Sequence, residues 1–186
     1  MNYEKAELFT GMFNLKHKEE CFLNFNFFFL KECEIEAGKD MSHEQLIERF
    51  LNSDLFGKNF TIREFPVENT HEAATYRMHG PFVIESIGIN VFKRYRGRQL
   101  KKVLFDYSKK AALFTGESAV NNFKQSFQLV EKFKIKEDEL FYLNRDWYSS
   151  PDKRLEGFIS IYDYYLLFIV INQDKNRLLL LDYGAD

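Results

Sequence analysis

The sequence predicts an α+β fold, a largely antiparallel β-sheet with at least two amphipathic helices packed on it, and three observations lead there. Between Glu20 and Ala37 the residues separate into two sets with a period of two, as an extended strand requires. Tyr164 to Ile171 and Arg177 to Tyr183 are apolar on both faces and are joined by the turn-rich Asn172-Gln173-Asp174-Lys175-Asn176, which predicts a hairpin of central strands. From Ser118 onward Val120, Phe123, Phe127 and Val130 recur at steps of three and four, with Lys124, Gln128 and Lys132 between them. That spacing predicts an amphipathic helix ending near Phe133, its stripe lying on the sheet.

In chain order, residues 3–18 fit either a short helix or an edge strand, with Gly11 as a break. In the strand that follows, the odd positions Cys21, Leu23, Phe25, Phe27, Phe29, Cys33, Ile35 and Ala37 form a core face. The even positions carry Asn24, Asn26, Glu32, Glu34 and Glu36, but also Phe22, Phe28 and Leu30, so a second element is expected to cover part of that face. Ser42 and Gln45 have capping-box spacing ahead of Leu46, Ile47, Phe50 and Leu51, predicting a helix of about three turns closed near Gly57. Phe60 to Phe65 alternates and stops at Pro66, a short strand, and a polar loop with His71 and His79 follows. Phe82 to Tyr95 and Gln99 to Tyr107 are rich in β-branched and aromatic residues and meet at Arg96-Gly97, which reads as a second hairpin. Ala111 to Phe114, Leu140 to Leu143 and Phe158 to Ile161 read as further short strands, with a loop from Asn144 to Asp152.

A chain of 186 residues without internal repeats or a Pro-rich linker is expected to form a single globular domain over 1–186. The 21 Phe and 10 Tyr make it unusually aromatic, a composition that suits strands and interfaces alike. The net charge of -2 divides unevenly: residues 1–92 hold 9 Lys+Arg against 15 Asp+Glu, and residues 93–186 hold 17 against 13. Such a split can orient a partner. On one continuous strand Cys21 and Cys33 would lie about 40 Å apart, too far to pair, and two thiols without a disulfide framework fit a reducing compartment. Met1 to Phe13 carries Glu4 and Glu7 and lacks the basic-then-apolar order of a signal peptide, and the longest apolar run is far shorter than a membrane span. A cytoplasmic location, away from membranes, is the expectation.

Two charged stretches are candidate contact surfaces. Lys93 to Lys102 holds six cations in ten residues, Arg94, Arg96 and Arg98 among them. An interleaved Tyr95 allows a phosphate-gripping surface, but no RRM, KH or helix-turn-helix pattern accompanies it, and an acidic protein partner explains the same residues. Glu32, Glu34 and Glu36 could enter a basic groove on another protein; the structural alternative is neutralisation by Lys16, Lys18 or lysines across the ladder. Arg145-Asp146-Trp147-Tyr148 contains the only Trp, a residue type enriched at binding hot spots, although Trp147 also suits a plug closing a loop onto the core.

Catalytic signals are weak. Three adjacent carboxylates on one solvated strand lack the contrasting environments that separate an acid from a base. Ser118 in Gly116-Glu117-Ser118-Ala119 lacks the second glycine of a nucleophile elbow and reads as a helix N-cap. His17, His43, His71 and His79 never fall at H-x-x-H or H-E-x-x-H spacing, so neither a metal nor another cofactor is expected. His71, Glu72, His79 and Arg145 are the candidates for a loop-assembled active site. The balance predicts a non-enzymatic protein-binding module, in its sharpest form a bacterial immunity or antitoxin-type protein that neutralises a toxin by occupying its basic groove. A nucleic-acid accessory protein using the basic hairpin tip and an enzyme with that loop-assembled site are the alternatives.

Overall fold

The computed structural model describes residues 12–23, 26–36, 40–62, 74–115 and 117–185. The fold is α+β, as predicted. Strands β1 (Phe13–Leu23) and β2 (Asn26–Ile35) are followed by helix α1 (His43–Leu51) and by β3 (Lys58–Ile62), β4 (Ala74–His79) and β5 (Phe82–Val83). After β6 (Lys93–Arg96) come two long helices, α2 (Leu100–Thr115) and α3 (Glu117–Glu131), then β7 (Glu139–Asn144), the single-turn α4 (Glu156–Ile159), β8 (Tyr164–Asn172) and β9 (Arg177–Ala185). Six strands make the main sheet in the order β1-β2-β9-β8-β7-β6, all neighbours antiparallel, and β3-β4-β5 make a smaller one.

The sheet is covered on both faces. Tyr165, Leu167, Ile169 and Ile171 of β8 point to one side, with Leu178 and Leu180 of β9, and pack against Leu46, Ile47, Phe50 and Leu51 of α1 and against Phe56, Phe82 and Ile84. Tyr164, Leu166, Phe168 and Val170 point to the other side, where Leu100 and Leu104 of α2 and Phe123 and Val130 of α3 meet them. This accounts for the near-continuous apolar runs of the C-terminal hairpin: a strand buried on both faces has no reason to alternate. The capping box of α1 forms as expected, Gln45 N–H donating to Ser42 Oγ and Ser42 N–H to Gln45 Oε1, but the helix closes at Asn52 instead of near Gly57.

The Glu20 to Ala37 pattern belongs to a hairpin, not to one strand. The chain reverses between Leu23 and Asn26, so Cys21 faces Phe28 and Phe22 faces Phe27 across the ladder. Directly opposed residues share a face, so the reversal transfers odd positions of β1 to the side of even positions of β2. Cys21 packs with Phe28 and Leu30 under α3, whereas Cys33, Phe27 and Ile35 lie on the α1 side. The expected cover over Phe28 and Leu30 is thus supplied by the helical layer, and the cysteines stay apart on opposite faces.

Three other expectations are corrected. The second arm of the hairpin expected over Phe82 to Tyr107 is the start of α2, which also contains the fragment Ala111 to Phe114. The aromatic and β-branched content that suggested a strand is there because Leu100, Val103, Leu104 and Tyr107, at helical spacing, pack against the sheet. Phe158 to Ile161 is not a strand: Leu155, Phe158 and Ile159 fall at i, i+3 and i+4 and turn as α4 onto Met78 and Val83. His79 ends β4 and is buried, not part of a polar loop; His71 and Glu72 lie outside the described residues.

Candidate functional site

The two charged stretches singled out in the sequence differ in how much of their charge is already used. Glu34 forms an ion pair with Lys16 Nζ at 2.6 Å, and Glu36, past the end of β2, accepts a hydrogen bond from Asn14 Nδ2. Glu32 is half-buried opposite His17. Cross-strand neighbours therefore take up two of the three carboxylates.

Arg94 and Arg96 project from β6 toward Glu139 at the start of β7. Glu139 accepts from Arg94 Nε at 2.9 Å and pairs with Arg96 Nη1 at 2.5 Å, and Arg94 also reaches Glu44 at 3.3 Å. Burial opposes the charge on Glu139, but the hydrogen bond from Arg94 and the charges of Arg94 and Arg96 outweigh it and hold the carboxyl below its ordinary range. These two arginines clamp the β6–β7 edge. Next to them Gly97 is required by close approach, since a Cβ there would lie 1.8 Å from the Ile135 carbonyl oxygen. The cations therefore surround a strand-to-helix junction, not a hairpin tip, and α2 carries the rest of them onto the helical layer.

On that layer α2 and α3 border a groove of about 740 Å³ with Leu104, Val120, Phe123 and Phe127 among its apolar lining. A second hollow of about 600 Å³ continues it toward Ile135 and shares Arg98, Lys101, Phe127 and Glu131 with the first. Arg98, Lys101, Lys102, Lys124, Lys134 and Lys136 line the two, against one carboxylate, Glu131. In contrast to Arg94 and Arg96, none of the six forms an ion pair among the described residues. Lys101 Nζ instead rests 5.1 Å from the Phe127 ring centre, and Lys109 Nζ 4.4 Å from that of Phe105, which is 59% exposed. Ammonium groups over ring faces shield apolar surface without neutralising the charge.

Lys124 and Phe127 did not enter the sequence-based candidates, because reading Lys101 and Lys102 as a hairpin tip separates them from α3. The three-four spacing of Leu100, Val103, Leu104 and Tyr107 is the signal that places them together.

The remaining candidates are elsewhere. Trp147 is 36% exposed, with its ring edge-on to Tyr142, its Nε1–H donating to the Val91 carbonyl at 3.4 Å, and Lys93 Nζ 3.8 Å above it. His79 has both ring nitrogens engaged, Nδ1–H donating to the Phe56 carbonyl and Nε2 lying 2.8 Å from Asp182 Oδ1. That leaves neither nitrogen free to act on a substrate. Arg145 Nη1 donates to the Asp163 carbonyl at 3.4 Å. Among the described residues, no cluster of His, Cys, Asp and Glu is arranged to hold a metal ion, and no helix is long and apolar enough to cross a membrane. Comparison with protein-family models, curated proteins and solved structures gives no match to this chain.

Proposed function

We propose that this chain is a non-enzymatic protein-binding module that engages an acidic partner through the α2–α3 groove. The observation that carries the reading is the contrast between paired and unpaired cations: Arg94 and Arg96 are paired with Glu139 and Glu44, whereas the six cations of the groove have no carboxylate partner among the described residues. Unpaired positive charge beside apolar surface is complementary to an acidic protein face with apolar anchors. The finer form of the proposal is an immunity or antitoxin-type role, in which the bound partner is a toxin held inactive. In this form the groove replaces the Glu32, Glu34 and Glu36 face as the main contact, because Lys16 and Asn14 already occupy two of those carboxylates.

Co-expression with the toxin of an adjacent gene tests both levels. Wild type should protect cells, and Lys101→Glu combined with Lys124→Glu should fail to protect at normal protein levels. Reversing Glu32, Glu34 and Glu36 to Lys should leave protection intact. Protection lost with the Glu reversals and kept with the Lys reversals would return the interface to the acidic strand, and no protection by wild type would remove the immunity role.

A further inference from the structure

Resting on the reading that the α2–α3 groove binds a protein, we infer that its occupant is an acidic amphipathic α-helix of the partner, laid along α2 and α3 as a third helix of that layer. The two hollows share Arg98, Lys101, Phe127 and Glu131, so they form one trough along the helices instead of two isolated cavities. From Arg98, in the turn leading into α2, to Ser108 within that helix the wall extends about 15 Å at the helical rise, roughly three turns of an accompanying helix. An extended peptide needs unpaired backbone groups along a sheet edge for pairing, and the long walls here are α2 and α3, whose backbone bonds are internal. A helix needs only an apolar strip to receive residues at i, i+3, i+4 and i+7, and Phe105, Val120 and Phe127 provide it over the buried Leu104 and Phe123.

Charge defines the flanks of that helix. Arg98, Lys101 and Lys102 belong to the α2 side, Lys124 to α3, and Lys134 and Lys136 to the segment beyond it, so cations line both walls and one end. A single-headed anionic lipid would satisfy one of these positions and leave the others unpaired, whereas a helix with Glu or Asp on either side of its apolar strip meets them in series. Single-stranded nucleic acid needs a run of open aromatic faces, and of the rings lining the trough Phe105 is the exposed one, with Lys109 already over it. Docking would release Lys101 and Lys109 from their ring contacts onto the incoming carboxylates, uncovering Phe127 and Phe105 for apolar contact.

The test uses the full chain and three labelled synthetic peptides: an acidic amphipathic helix of Leu, Ala and Glu, a scramble of the same composition without the apolar strip, and the first peptide with Lys for Glu. An oligothymidylate serves as the nucleic-acid probe. The amphipathic acidic peptide should bind saturably and gain helicity by circular dichroism, and the scramble and the basic peptide should each bind at least about tenfold more weakly. Lys101→Glu with Lys124→Glu, and separately Phe105→Ala at the exposed ring, should each weaken it about tenfold while leaving the melting curve close to wild type. Equal binding of scramble and helix, no helicity gain, no saturable peptide binding, or tighter binding of the oligonucleotide would overturn the inference. If the peptide fails while the Lys reversals still abolish binding of the natural partner, the groove reading stands and the helical occupant falls. If the Lys reversals leave natural-partner binding unchanged, the groove reading itself falls.

Discussion

His79 Nε2 lies 2.8 Å from Asp182 Oδ1, and this contact joins the last residue of β4 in the small sheet to β9 in the middle of the large one. Both side chains are buried. The Phe56 ring stacks on the imidazole at 4.1 Å, and the Phe56 carbonyl accepts from Nδ1–H, so one histidine anchors both the segment after α1 and the small sheet. Asp182 is the polar residue of an otherwise apolar β9 face, and Tyr165, pushed well above the ordinary phenol range by burial and by Asp182, stands beside the pair.

His79→Leu should therefore destabilise the fold by about 3 kcal/mol, because it removes the imidazole from the buried Asp182 carboxyl and leaves Tyr165 as its hydrogen-bond neighbour. Combining it with Asp182→Leu should recover part of that loss, since the uncompensated charge is removed. Denaturant unfolding of the two variants checks this. A His79→Leu midpoint equal to wild type would show that the pin carries no stability.

Glu139 ties the fold to pH. Its carboxyl titrates below the ordinary carboxylate range, so its contribution is fully present above that range and is lost as pH falls through the depressed folded-state value. Because Arg94 and Arg96 are about half exposed, solvent screening limits the pair to roughly 1 kcal/mol. Glu139→Gln should melt lower than wild type near neutral pH, with the gap closing in acid. Thermal melts across that range read the difference directly.

Gly97→Ala places a methyl against the Ile135 backbone carbonyl, an overlap that no side-chain rotation relieves. The β6–α2 junction and the chain after α3 must then separate, and a loss of about 2 kcal/mol is expected from overpacking of this kind. A control, Gly88→Ala, meets only the Asn90 side chain, so it should cost less in the same melt.

The C-terminal hairpin lies in the interior of the sheet, with Ile169 and Leu180 paired and fully buried. Ile169→Asp or Leu180→Asp buries an uncompensated carboxylate and should cost several kcal/mol, enough to remove soluble expression. Soluble yield and melting of both variants decide it.

Cys33 has no exposure, and burial pushes its thiol up to about 11. Cys21 is half-buried on β1, near Gln125. Maleimide at mildly alkaline pH should modify Cys21 first and Cys33 only on unfolding. Peptide mass spectrometry of the native and denatured protein reads the order.

The sequence by itself determined the elements whose signal lies within a few residues. The Ser42 and Gln45 capping box, the Val120, Phe123, Phe127, Val130 stripe and the doubly apolar β8–β9 hairpin are each written in neighbours along the chain, and each stands where its pattern placed it. Only the tertiary structure decided what depends on distant residues. The reversal before Asn26 leaves the alternation intact while moving Cys21 and Cys33 to opposite faces, so period alone cannot report it. His79 reads as a loop residue until Asp182, 103 positions away, receives it. The groove exists because α2 and α3 bring Lys101 beside Phe127 and leave Arg98 and Lys124 without an ion pair among the described residues, whereas Glu139 and Glu44 pair with Arg94 and Arg96. Periodicity is a property of bonds along the chain, but whether a charge is spent or free is settled by which surfaces packing brings together.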